Sequence, residues 1–163
     1  MKNVCFTGHR TLRGDNEFQI RRLLDEVVTE LIRKGAVNFY CGGAMGWDTI
    51  CANLILYHKK RRAPHIRLHM ILPCPPEQQT LKWQDADRRL YYMILENADD
   101  AEIVSDSYTD DCMKKRNARL VANADCCVCY YDGSTVRSGT AQTVRMAREK
   151  GIDVVNIYDM AED

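Results

Sequence analysis

The sequence predicts one α/β domain in three layers, a mostly parallel sheet with helices on both of its faces. Three observations lead there. Short apolar runs alternate with amphipathic stretches of helical period from one end of the chain to the other. The run Cys126 to Tyr131 has no polar alternation, as expected of a strand covered on both faces. The 163 residues, 45% hydrophobic and 28% charged, suit a single core, so residues 1–163 are expected to form one domain.

Val4 to Thr7 is the first predicted strand, and Ile20, Leu23, Leu24, Val27, Val28 and Leu31 mark the inner face of the helix after it, with Gly35 as its stop. Val37 to Cys41 is a second strand. Gly42-Gly43-Ala44-Met45-Gly46 then leads into a helix with Trp47, Ile50, Cys51, Leu54 and Ile55 on one side. Ile66 to Leu72 is a third strand, ended by Pro73-Cys74-Pro75-Pro76. The next helix is expected to turn Trp83, Ala86, Leu90, Met93, Ile94 and Asn97 inward. Ala101 to Val104 is a fourth strand, and Ser105 to Asp111 is a loop supplying the N-cap of a helix with Met113, Asn117, Leu120 and Val121 inside. After Cys126 to Tyr131 comes a Gly-Ser-Thr loop, a helix from about Gly139 to Lys150 stopped by Gly151, and a last strand from Val154 to Tyr158. The terminal Met160 to Asp163 is expected to fray.

Composition narrows the function. Lys and Arg total 23 against 23 Asp and Glu, so no global field attracts nucleic acid or an anionic membrane; neither is an expected partner, and any binding must come from a local site. The chain has no apolar stretch near the ~20 residues of a membrane span, and Met1 to Phe6 runs into Gly8-His9-Arg10 without a signal-peptide pattern; the expected location is the cytoplasm. The eight cysteines fall mostly inside apolar runs and read as reduced, buried thiols. No histidine stands at zinc-ligand spacing from a cysteine pair, so neither a metal nor another cofactor is expected.

In open parallel sheets ligands bind beyond the carboxyl ends of the strands. The segments in those positions are Gly8-His9-Arg10, Gly42 to Asp48, Pro73 to Pro76, Ser105 to Tyr108, and Asp132 to Thr140. Two of them put glycines at a helix N-terminus, where free amides and the positive end of the helix dipole favour a phosphate. Gly43 and Gly46 in one, and Gly139-Thr140 with the Ser138 hydroxyl in the other, are therefore candidate phosphate cradles, although a strand-to-helix turn can need glycine for backbone reasons alone. The dinucleotide fingerprint and the P-loop do not fit the Gly42 segment. Arg10 is suited to a phosphate, and His9 to a ring contact or a proton transfer. Asp48 serves the helix dipole, a ribose or glycosidic chemistry. Trp47 reads as core, and Lys59 to Arg62 as cations at a helix C-terminus.

Thr7-Gly8-His9-Arg10, Gly42-Gly43-Ala44-x-Gly46-x-Asp48, the phrase from Arg116-Asn117 to Ala124-Asp125, and Ser138-Gly139-Thr140 occur in an order that resembles the YpsA-like branch of the SLOG superfamily over nearly the whole chain. The resemblance implies a Rossmann-like fold that binds nucleotides or nucleotide-derived signals; relatives include the LOG phosphoribohydrolases and DprA. Carried over by position, Gly43, Gly46, Gly139 and Thr140 resemble phosphate-contacting loops. Arg116 resembles an arginine facing the ligand, with Asn117 beside it reading a ribose hydroxyl or capping a buried loop.

LOG enzymes follow their glycine loop with glutamates, whereas Gln142 and Thr143 stand here, and Gln142 cannot act as a base. The expectation is a sensor or regulator of an ADP-ribose-like or similar ligand, with binding placed above hydrolysis. The alternatives are a nucleotide N-glycosidase with Asp48, or failing that Asp132, as its acid, and a protein-interaction module without ligand. Related folds commonly pair, so a homodimer is a possible assembly.

Overall fold

A computed structural model describes residues 2–12, 16–133 and 138–161. Six strands, β1 (Asn3–Gly8), β2 (Asn38–Cys41), β3 (Arg67–Leu72), β4 (Asp100–Ile103), β5 (Cys126–Tyr130) and β6 (Asp153–Asn156), form one sheet in the order β4-β3-β2-β1-β5-β6. Every pairing among them is parallel. The helices are α1 (Glu17–Arg33), α2 (Trp47–Arg61), α3 (Pro76–Gln79), α4 (Asp85–Asn97), α5 (Cys112–Ala122), α6 (Gly139–Lys150) and α7 (Ile157–Met160). The architecture is α/β and Rossmann-like, as the alternation of apolar runs and helical periods predicts.

Strand residues alternate between two cores. Val4 and Phe6 of β1, with Phe39, Leu68, Met70, Cys126 and Val128, pack against α1, α2, α4 and α7. Cys5, Ile71, Cys127 and Cys129 face the other way, against Leu120 and Val121 of α5 and Val144 and Ala147 of α6. Because both faces are covered, β5 is buried along its whole length, which is why its sequence shows no polar alternation. All eight cysteines are free and buried, and six of them serve as small apolar residues in these two cores. No described helix is long and apolar enough to cross a membrane.

The helix ends follow local chemistry. Gly151, at φ 83°, closes α6 in the left-handed conformation that glycine accepts without strain. Lys150 in its last turn donates to the carbonyls of Val121, Ala122 and Ala124, so the end of α6 also satisfies the end of α5. Asp111 holds the N-cap position of α5, yet its carboxylate accepts the Thr109 hydroxyl at 2.9 Å instead of capping the helix.

Three expectations need correction. On α4 the buried residues are Tyr91 and Ile94, while Leu90 and Met93 are exposed. Tyr91 turns inward because its hydroxyl donates to Gln79 Oε1 at 2.8 Å, so the ring is buried without orphaning its polar end. The last strand stops at Asn156, whose side chain accepts the Tyr158 amide and starts α7; Met160 lies in that helix, and residues 162–163 lie outside the described residues. The short α3 begins at Pro76, as a proline at the first helical position allows.

The chain order along the sheet reverses at β1, which has β2 on one side and β5 on the other. Loops leaving the carboxyl ends of these three strands diverge there and open a crevice.

Candidate functional site

The crevice at this switch point has a volume of about 290 Å³. Of the sequence candidates, Gly8, His9, Arg10, Asp48, Arg116, Asn117, Ser138, Gly139 and Thr140 line it together. Gly42, Gly43 and Gly46 do not.

The first glycine loop is packed closely against the protein itself. A Cβ on Gly46, which sits at φ 76°, would lie 2.0 Å from the Arg10 carbonyl oxygen. Gly43 has the same φ and faces the core beneath α2 and α4, where a Cβ would stand 3.0 Å from Leu72 and 3.3 Å from Tyr91. At Gly42 a Cβ would meet the Arg116 guanidinium at 2.6 Å. The anion at the start of α2 is Asp48, whose Oδ2 accepts the Ala44 amide at 3.1 Å. Glycine is thus required at Gly46 by the Arg10 backbone and at Gly43 by the positive φ.

Gly8 ends β1 under the indole of Trp47, which leaves no room for a Cβ: Trp47 Cγ would be 2.3 Å away. Trp47 is fully buried and stacks on Tyr130 at 5.4 Å between centroids, as its helical spacing predicts for core. The His9 amide donates to Tyr130 O and its carbonyl accepts from Trp47, so the turn after β1 is pinned to both neighbours. The His9 ring stands 3.1 Å from Asp132 Oδ1 and 3.2 Å from the Asp132 amide, with its face and edge against Tyr131 and Tyr130. Arg10 continues to the exposed rim.

On the opposite wall α6 begins. Its first three amides have no intrahelical acceptor. Ser138 Oγ takes the Ala141 amide at 3.0 Å and the Ser138 carbonyl takes that of Gln142 at 3.1 Å, leaving those of Gly139 and Thr140 unpaired among the described residues. A Cβ on Gly139 would meet nothing nearer than Asn117 Nδ2 at 3.4 Å. This second glycine therefore faces open crevice, unlike the first three.

Arg116 and Asp48 dominate the electrostatics. Arg116 is only 7% exposed, and its Nε donates to Asn117 Oδ1 at 2.9 Å, Nη1 to the Gly42 carbonyl, and Nη2 reaches Met113 Sδ at 3.6 Å. None of these partners is a carboxylate. Burial pushes its pKa down and the Asp48 charge pushes it back up; arginine remains a cation throughout. Asp48 is 5% exposed, and burial raises its carboxyl to about 6 against the opposing pull of Arg116, the Ala44 amide and Arg10. Arg116 and Asp48 influence each other without forming an ion pair.

Sequence reasoning missed Gln142 as a positioning group. Its Oε1 accepts from Asn117 Nδ2 at 3.1 Å, and the same Nδ2 reaches Gly139 O at 3.4 Å. Those bonds orient Asn117 so that its oxygen holds Arg116. The spacing of three residues from Gly139 was the available signal, because it puts Gln142 one turn into α6 on the α5 side. Met113, Leu120, Thr7 and Ala44 complete the lining. The other possible acid, Asp132, is engaged with His9; residues 134–137 of the same loop lie outside the described residues.

The profile of the YspA SLOG family matches residues 5–160. A curated relative, UPF0398 protein BH1768 of Halalkalibacterium halodurans, is 29% identical over 115 residues, covering 69% of this chain and 59% of the relative. Among solved structures, DNA processing protein A from Helicobacter pylori, described for its single-stranded DNA binding mode, superposes with a TM-score of 0.63 at 18% identity. That match covers 94% of this chain and 63% of the Helicobacter chain. The protein TM1055 superposes at 0.59 with 19% identity, covering 98% of this chain and 79% of its own. The chain thus spans about three fifths of the curated relative and of the Helicobacter protein.

The Helicobacter structure corrects the expectation, drawn from net charge, that nucleic acid is not a partner: a protein that shares this fold binds single-stranded DNA. A formal charge of zero over the whole surface is blind to local cations such as Arg10 and Arg116.

Proposed function

The chain belongs to the YspA SLOG family, and we propose that it binds a nucleotide or nucleotide-derived ligand in the switch-point crevice, acting as a sensor or regulator. The observation that carries this reading is Arg116: a buried guanidinium with no carboxylate partner, lining the same crevice as the unpaired amides that open α6. Burying a cation without a counter-charge is costly, and an arriving phosphate supplies that charge through forked hydrogen bonds. Arg10 at the rim adds a second cation, and the helix dipole adds to both. The volume, about 290 Å³, is at the lower end for small-ligand sites and suits one nucleotide.

One feature favours hydrolysis as a second reading: Asp48, raised to about 6, is a carboxyl poised for acid–base work near neutral pH in that crevice. Against it, the position one turn into α6 is Gln142, and its amide is spent on Asn117.

A thermal-shift panel of nucleoside mono- and diphosphates, ADP-ribose and a single-stranded oligonucleotide tests the proposal. A ligand at a hundredfold excess over its Kd adds about 2.7 kcal/mol, or roughly 5–10 °C for a domain of this size. Absence of any shift at millimolar concentration contradicts a nucleotide site. The same samples, analysed for free base after hours, are expected to contain none above background; clear release that is lost in Asp48→Asn establishes hydrolysis instead.

A further inference from the structure

The crevice holds two largely buried groups of opposite charge, each with hydrogen-bonding capacity that the protein leaves unused. Asp48 spends Oδ2 on the Ala44 amide, while Oδ1 has no protein donor among the described residues. Arg116 spends one N–H on Asn117 and one on Gly42, with a weak sulfur contact as its remaining partner. Both residues are more than nine-tenths buried, both line the crevice, and no ion pair joins them.

A bare phosphate answers only half of this arrangement. It complements Arg116, Arg10 and the start of α6, but it brings a second negative charge toward Asp48 and offers no donor to Oδ1. A ligand that carries an anion and, a few ångströms away, a pair of hydroxyl donors answers both halves. We propose that the site selects ribonucleotides over deoxyribonucleotides, with the phosphate toward Arg116 and the amides of Gly139 and Thr140, and the ribose 2′- and 3′-hydroxyls donating to Asp48. This rests on the nucleotide reading above and adds the sugar to it. The 2′-hydroxyl is the group by which a protein distinguishes the two sugars at a given site. A carboxylate acceptor is the strong form of that contact, because hydrogen bonds to a charged partner exceed neutral ones about twofold in strength.

The test is calorimetric titration of the wild-type protein with the four pairs of ribo- and 2′-deoxyribonucleoside 5′-monophosphates, together with ribose 5-phosphate and inorganic phosphate. For whichever base binds best, the ribonucleotide is expected to bind about 10-fold or more tighter than its deoxy counterpart. Asp48→Asn, which keeps an oxygen for the Ala44 amide, is expected to bring the pair within about threefold while circular dichroism stays native. Equal binding of the two sugars by the wild type overturns the sugar selection and leaves the nucleotide reading standing. Ribose 5-phosphate binding as tightly as the best nucleotide overturns the nucleotide in favour of a sugar phosphate. Failure of every nucleotide to bind removes both.

Discussion

Asp48→Asn is expected to make the protein more stable near pH 8 by about 3 kcal/mol, even as it weakens ligand binding. The carboxyl of Asp48 is raised from 3.8 to about 6 in the folded chain, chiefly by burial, so the folded state holds this proton more tightly than the unfolded one. Below the unfolded value both states are protonated and nothing is lost. As pH rises through the window between 3.8 and about 6 the unfolded chain ionises first, and stability falls until both states are charged. The asparagine removes this ionisation and preserves the acceptor for Ala44. Urea unfolding of both proteins across that window should show little difference at its acid end, a widening gap through it and a constant gap above. A variant less stable than wild type above the window would mean that attraction to Arg116 outweighs burial. Such a cost at a crevice residue is expected where a group serves a ligand instead of the fold.

Arg116→Met is expected to lower affinity for the best-binding nucleotide by about 100-fold or more, since truncating one partner of a buried charge pair commonly costs 2–5 kcal/mol. The methionine fills the aliphatic path of the side chain but leaves the Gly42 carbonyl and Asn117 Oδ1 without their donor, at a further cost to stability of about 2 kcal/mol. Arg116→Lys should recover the charge but not the fork that spans Gly42 and Asn117, and so regain only part of the affinity. Calorimetric titration, with urea unfolding as the control for folding, measures both effects. Undiminished binding by Arg116→Met would place the anion elsewhere in the crevice, on Arg10 and α6.

Much of the fold was legible because period and punctuation agree. The run from Cys126, the stop at Gly151 and the inner stripe of α1 each have a local cause that tertiary contacts then reinforce. The inward face of α4 was not legible, because Tyr91 is buried through a hydroxyl partner, Gln79, that lies on a different helix. α3 and α7 each span a single turn, too short to show a period; only Pro76 and Asn156 mark them.

The site's location was legible from the rule for parallel sheets, and its residues less so. A glycine in the sequence announces that a side chain does not fit, not what occupies the space. At Gly46 the occupant is the Arg10 carbonyl and at Gly8 it is Trp47, whereas Gly139 alone of the candidate cradle glycines faces open crevice. The raised carboxyl of Asp48 was likewise beyond the sequence, since its burial depends on elements after β1, β2 and in α5 closing around it.

Whether the switch-point crevice is a nucleotide site is read by following amide and arginine side-chain resonances of isotope-labelled protein during titration with a ribonucleotide. The largest shifts are expected at Gly8 to Arg10, at the Arg116 Nε–H, and at the amides of Gly139 and Thr140, with the basic stretch Lys59 to Arg62 at the far end of α2 unmoved. Shifts confined to that basic stretch, or none in the crevice at millimolar nucleotide, would contradict a nucleotide site there.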